Sequence, residues 1–208
     1  MFHRKEGHAM TGDHSFPETF GAVTSLTLIN LAKSADPTAW EILFRLYSPL
    51  IRYWLRKSRI SPVEEDDLVQ EVFRSMHSGL ARFEKKSATD SFRAWMRTIT
   101  QNKIRDYLKT QANKPLATGG TTAWRFVQDV PDPDLSDELP ESSEDRLVIH
   151  EALEIIRREI QPQTFQAFWL ATVDGITPSQ VAEELGIPLN SVYQAKSRVL
   201  RRLRDLLE

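Results

Sequence analysis

Apolar residues recur every three or four positions along most of this chain, and two-residue alternation is scarce, so helices dominate the expected structure. Trp40, Leu43, Phe44, Tyr47, Leu50, Ile51 and Trp54 form one stripe. Asp36-Pro37 opens that helix with a cap followed by a proline at the first helical position. Ser61-Pro62-Val63-Glu64 has the same form, and its glutamate sits where it would complete a capping box. Leu68, Val69, Val72, Phe73 and Met76 continue that helix as its buried face, while Asp66, Asp67, Gln70, Glu71 and Arg74 lie towards the other side. Residues 82–91 read as a loop. Asp90 or Ser91 then caps a long helix whose core stripe is Phe92, Trp95, Met96, Ile99, Ile104, Tyr107 and Leu108.

Helical periodicity stops after residue 113. Gly119-Gly120, Pro131, Pro133 and Pro140 interrupt the next segment, and eight acids fall between 129 and 145 with no base among them. Such a stretch is a linker, stiffened where proline-rich and extended by self-repulsion. From Ser143 the helical pattern resumes with Leu147, Ile149, Leu153, Ile156 and Ile160. Pro162-Gln163 opens a further helix carrying Phe165, Phe168, Trp169 and Val173, and Asp174-Gly175 turns the chain. The expected fold is therefore all-α: two small helical domains, 24–113 and 143–208, joined by a flexible acidic linker at 114–142 and preceded by a flexible tail at 1–23.

The last turn of this pattern is the most specific. Thr177-Pro178-Ser179-Gln180 is a capping box with proline at the first helical position. Val181, Ala182 and Leu185 follow as an apolar stripe, and Gly186 permits the left-handed backbone that ends a helix. Ile187 tucks inward and Asn190 can cap the next helix, whose core face is Val192, Val199 and Leu203. Tyr193, Gln194, Ser197 and Arg198 are left facing outward. Lys196, Arg198, Arg201, Arg202 and Arg204 place five cations within nine residues. A helix-turn-helix with a basic second helix fits the phosphate-lined major groove of DNA.

Charge is consistent with that partner once it is partitioned. The chain's formal charge is −2. Residues 24–113 hold 15 Lys/Arg against 10 Asp/Glu, and residues 114–145 hold 2 against 8, so the average conceals a basic first domain and an acidic linker. The helix from residue 92 carries a polar face of Arg93, Arg97, Gln101, Asn102, Arg105 and Lys109, suited to tracking phosphates. Cysteine is absent, which removes disulfides and thiolate metal sites and makes the cytoplasm the natural compartment. No apolar run approaches the ~20 residues of a membrane span, so no membrane insertion is expected. His3, His8 and His14 are read as part of the tail, with no metal site and no cofactor. No glycine-rich phosphate loop, H-E-x-x-H or G-x-S-x-G appears, and the acids at 66–67 suit a helix start, where the dipole favours them. An enzyme is not expected.

Taken together, D-D-L-V-Q-E-V-F at 66–73, F-R-A-W-M-R-T-I-T-Q-N-K-I-R-D-Y-L-K at 92–109, the acidic linker and the helix-turn-helix resemble a bacterial RNA polymerase sigma factor of the extracytoplasmic-function group. The resemblance covers about residues 25–110 and 143–207. It implies a factor that binds core RNA polymerase, directs it to promoters through −10 and −35 elements, and promotes melting. Asp66, Asp67, Leu68, Gln70, Glu71, Phe73 and Arg74 would dock on the clamp helices of the largest polymerase subunit. Phe83, Lys85, Lys86, Ser91, Arg97, Gln101, Asn102, Arg105 and Lys109 would hold the −10 strand. Ser191, Tyr193, Gln194, Lys196, Ser197, Arg198, Arg201 and Arg202 would read the −35 duplex. The second-largest subunit's flap is the further polymerase partner, promoter DNA is the ligand, and an anti-sigma factor is one form of control that fits. Gln194-Ala195 and Pro188 depart from the commoner family pattern, which bears on the −35 sequence and not on the fold. The other reading is a stand-alone helix-turn-helix regulator, which would have no use for the basic helix at 92–109. The acidic linker suggests a nucleic-acid mimic in the polymerase channel, through Asp132, Asp134, Asp137 and Glu138.

Overall fold

The computed structural model describes residues 24–84, 91–112 and 141–207. The tail, Lys85 and Lys86, and the linker acids through Glu138 lie outside the described residues. Among the described residues the secondary structure is helical: α1 (Leu26–Lys33), α2 (Pro37–Lys57), α3 (Pro62–Gly79), a 3-10 turn (Leu80–Arg82), α4 (Phe92–Ala112), α5 (Glu141–Glu159), α6 (Pro162–Thr172), α7 (Pro178–Leu185) and α8 (Leu189–Leu207). They fall into two compact units. The larger takes the described residues up to Glu159 and those from Leu200 onward; the smaller is Ile160–Val199.

In the larger unit α2 is the central element, packed by α1, α3, α4 and α5. The sequence explains why. Leu43, Leu46, Tyr47, Leu50, Ile51, Trp54 and Leu55 leave no measurable surface, and that set is too broad for one neighbour to cover. Each such aliphatic side chain contributes about 1.5–3 kcal/mol relative to exposure. Asp36 caps α2 as expected, its Oδ1 accepting from Ala39 N at 2.8 Å. The Tyr47 hydroxyl is satisfied by a hydrogen bond with the Thr24 hydroxyl, and Trp40 Nε1 donates to the Ala32 carbonyl at 2.9 Å.

The larger unit differs from the sequence reading at four points. Helix α1 was not read from the sequence: it is short, and Ser25 at its start makes no side-chain cap. The capping box at Ser61 does not form, because Ser61 makes no side-chain cap bond; Pro62 and the Glu64 N–H to Ser61 carbonyl bond (2.9 Å) start the helix instead. Phe44, placed in the core stripe, is 40% exposed and rests its ring against Phe73 at 4.8 Å. Helix α5, grouped by sequence with the helix-turn-helix, belongs to the larger unit and packs on α2. Its buried set, Val148, Ile149, Ala152, Leu153, Ile155 and Ile156, is a wide face. Periodicity revealed part of that face but could not say which helix it covers.

The smaller unit is the helix-turn-helix and the helix before it. Ala167, Val181, Val192 and Ala195 form its core, with Leu170, Ala171, Ile176, Ala182, Leu185 and Ile187 packed around them. The Thr177–Gln180 capping box is present in both directions. Gly186 adopts φ 63°, ψ 36°; its N–H bonds the Glu183 carbonyl at 3.3 Å and the Ile187 N–H bonds that of Ala182 at 3.0 Å. That pair of bonds satisfies the last carbonyls of α7 and turns Ile187 back onto the core. Asn190 is not the cap of α8. The helix opens at Leu189, and Asn190 lies inside its first turn.

Candidate polymerase and nucleic-acid surfaces

The outward face of α3 is polar and open. Asp66, Asp67, Gln70 and Arg74 are exposed, and Val63, one turn before Asp66 and Asp67, is 84% exposed. Sequence reading missed Val63 because a single apolar residue beside a capping signal carries no period. Asp66 pairs with Arg52, and Glu71 pairs with Arg74 and, at 3.4 Å, with Lys103 of α4. The Arg74 hydrogen bond, with a smaller contribution from Lys103, holds the Glu71 carboxyl below the usual glutamate range. Leu68 and Phe73, assigned above to polymerase contact, are core residues at 7% and 9% exposure; they shape the face from beneath. Glu65 also turns inward, accepting from Arg56 Nε at 2.9 and 3.1 Å through its two oxygens.

Ser91 immediately precedes helix α4, and its Oγ accepts from Arg93 N at 3.2 Å. Phe83, expected at the DNA surface, is 8% exposed. Its ring meets Phe92 edge-on at 5.7 Å and Trp95 at 5.2 Å, so it is a core residue. Trp95 completes the cluster, and its ring lies 3.2 Å from where a Cβ on Gly79 would sit, so a larger residue there would press the ring aside by a few tenths of an ångström. The polar face divides into two halves. Towards the C-terminal end Asn102 and Lys109 are exposed and Gln101 and Arg105 half-buried, with Arg105 Nη1 donating to Asn102 Oδ1 at 3.2 Å. Towards the N-terminal end the arginines are engaged: Arg97 pairs with Glu144 and lies 5.2 Å over the Trp54 ring, and Arg93 bonds Asp145 at 2.6 Å. Arg97 is therefore not an open phosphate contact in this structure.

In α8, Tyr193, Gln194, Lys196, Ser197, Arg198 and Arg201 are exposed and Ser191 half-buried, while Val192 and Ala195 face the core. Arg202, expected at phosphate, instead makes two bonds to Glu159, 2.8 and 3.0 Å long. That hydrogen bonding raises its already high pKa. A cleft of about 220 Å³ brings Gln163 and Thr164 of α6 beside Ser191, Gln194 and Arg198; no periodicity or motif singles out those two. Among the described residues no cluster of His, Asp or Glu could hold a metal, and no helix is long and apolar enough to cross a membrane.

The family profile for Sigma-70 region 2 matches residues 43–114, and that for Sigma-70, region 4 matches 157–203; together they take in more than half of the chain. The protein belongs to the sigma-70 family and is a promoter-directing sigma factor of the extracytoplasmic-function type, with core RNA polymerase and promoter DNA as partners. Among curated proteins it is similar to the ferric citrate uptake sigma factor FecI of Escherichia coli (strain K12), 26% identical over 181 residues, which is 80% of this chain and 90% of that protein. The stand-alone regulator is not favoured, since region 2 has no place in it.

Proposed function

We propose that the exposed face of α3 docks on the clamp helices of the largest polymerase subunit, through Asp66, Asp67, Gln70, Glu71 and Arg74 with Val63 as the apolar contact. An acidic, hydrogen-bonding stripe with one open aliphatic side chain suits a basic coiled coil, since charge complementarity steers the encounter and apolar burial adds affinity. The −10 strand is held by α4 through Gln101, Asn102, Arg105 and Lys109, and the −35 duplex is read by Tyr193, Gln194, Ser197 and Arg198, with Ser191, Lys196 and Arg201 on phosphates. Melting needs a base taken out of the stack, which costs a few kcal/mol; the proposed pocket falls on residues 83–91, of which 85–90 lie outside the described residues. The smaller unit contacts the flap of the second-largest subunit. The protein works in the cytoplasm without catalysis of its own, under an anti-sigma factor.

The observation that carries this reading is the open polar stripe on α3, whose opposite side is fully committed to the core. Core RNA polymerase mixed with the full chain tests it by co-elution. The wild type co-elutes and the Gln70→Ala/Glu71→Lys variant does not. Equal co-elution of both would place the docking surface elsewhere.

A further inference from the structure

The acidic start of α5 lies on the cationic start of α4. Glu144 is 8% exposed, unusual for a carboxylate unless it is paired. Its Oε1 accepts from Trp54 Nε1 at 2.9 Å and pairs with Arg97, whose guanidinium covers the Trp54 ring. One residue on, Asp145 takes Arg93. Arg93 and Arg97 are one turn apart on α4, and the two acids sit in the first turns of α5, where the helix dipole favours negative charge. Two adjacent anions against two guanidiniums on one helix face is the arrangement a nucleic-acid backbone would need to use the same arginines. The contact is held from outside the charges as well, because the apolar face of α5 is seated on α2. Arg97 Nε is buried without an acceptor, so the carboxylate does not exhaust that guanidinium.

We propose that Glu144 and Asp145 stand in for promoter phosphates in cis. In the free factor they occupy the Arg93–Arg97 end of the strand-binding face and leave only the Asn102–Lys109 end open. The first turn of α5 has to leave before the whole face can take the strand. This rests on the reading of α4 as the strand-binding helix. An alternative role, a purely structural ion pair, has different consequences: its removal lowers stability and does nothing to DNA affinity.

The test uses the full chain and a fluorescein-labelled single-stranded oligodeoxynucleotide, chosen because the helix-turn-helix reads duplex. Glu144→Gln/Asp145→Asn frees two cations. Each phosphate contact on single strands contributes about 0.7 to the salt slope, so the slope of log affinity against log salt steepens by about 1.4, and binding at ~0.1 M salt tightens roughly ten- to thirtyfold. Adding Arg97→Gln to that variant removes most of the gain. Affinity and slope equal to wild type would overturn the proposal. Should the neutralised variant unfold, hydrogen exchange on the wild type decides: saturating oligonucleotide accelerates exchange in residues 145–158, and unchanged protection there overturns the proposal. Asn102→Ala and Arg105→Ala separate the two levels. If they leave oligonucleotide binding untouched, the reading of α4 itself fails; if they weaken it while the acids make no difference, only the cis contact fails.

Discussion

Replacing Gly186 by alanine isolates one physical quantity. The residue sits at φ 63° between α7 and α8, and a Cβ built there meets nothing within 4 Å. No clash contributes, so the cost is conformational alone. A left-handed backbone costs an ordinary L-residue about 1–2 kcal/mol. Alanine also has fewer unfolded conformations than glycine, which returns ~0.4–1 kcal/mol. The net loss is about 1 kcal/mol, or roughly fivefold in the local opening equilibrium. Hydrogen exchange of α7 and α8 in the full chain should accelerate by that factor. Gly186→Asn should recover most of it, since asparagine tolerates this region. Exchange unchanged by alanine, or equal effects of alanine and asparagine, would refute the conformational account. A loss above ~3 kcal/mol would show that the space is not open. Affinity for −35 duplex should follow only through the folded fraction, because a Cβ at Gly186 would reach no base-reading side chain.

Other outcomes follow from the same geometry. Thr177→Ala removes one side of the capping box and should cost about 1 kcal/mol in thermal or denaturant unfolding. Arg198→Ala should lose ~1–3 kcal/mol of discrimination at one −35 position, whereas Arg201→Ala should weaken all duplexes alike and lower the salt slope by about 0.9, both read by anisotropy titration. Glu71 has a depressed folded pKa, so its contribution is present at neutral pH and is lost as pH falls through that value. Glu71→Gln should be the less stable chain at pH 7, and the two denaturation curves should merge in acid. Burial raises the Tyr47 phenol despite its hydrogen bond with Thr24. Its contribution holds below the free tyrosine value of about 10 and is lost at higher pH, and Tyr47→Phe should remove that alkaline limb.

How much was readable depended on whether the cause was local. The Thr177 box, the Gly186 turn, the Asp36 cap, the buried sets of α3 and α8 and, apart from Trp40 and Phe44, that of α2 all follow from neighbours within a turn, and the structure has them. Helix α1 escaped because nothing caps its start and its end passes through Ala35 at φ 59°, a stop that composition does not signal. The partner of α5 was unreadable for a different reason. A stripe such as Ile149, Leu153 and Ile156 states that a face is buried, and only the fold states against what. The engagement of Arg97 and Arg202 follows from that same placement, since their acids, Glu144 and Glu159, are both on α5. Phe83 failed as a surface residue because a lone aromatic before a loop has no period to assign it inward.

Phe83 and Phe92 bracket the segment proposed to receive the flipped base, and their rings meet edge to face, with Trp95 against both. The two feet of that segment are thus anchored by residues that need not touch DNA. Fold and DNA contact are thus carried by different side chains. The three rings hold the 3-10 turn against the start of α4, whereas Asn102 and Lys109, proposed to contact the strand, are exposed. Exposed positions of that kind usually change stability by only about 0.5 kcal/mol, so the strand contacts can be rewritten while the aromatic cluster keeps the domain standing.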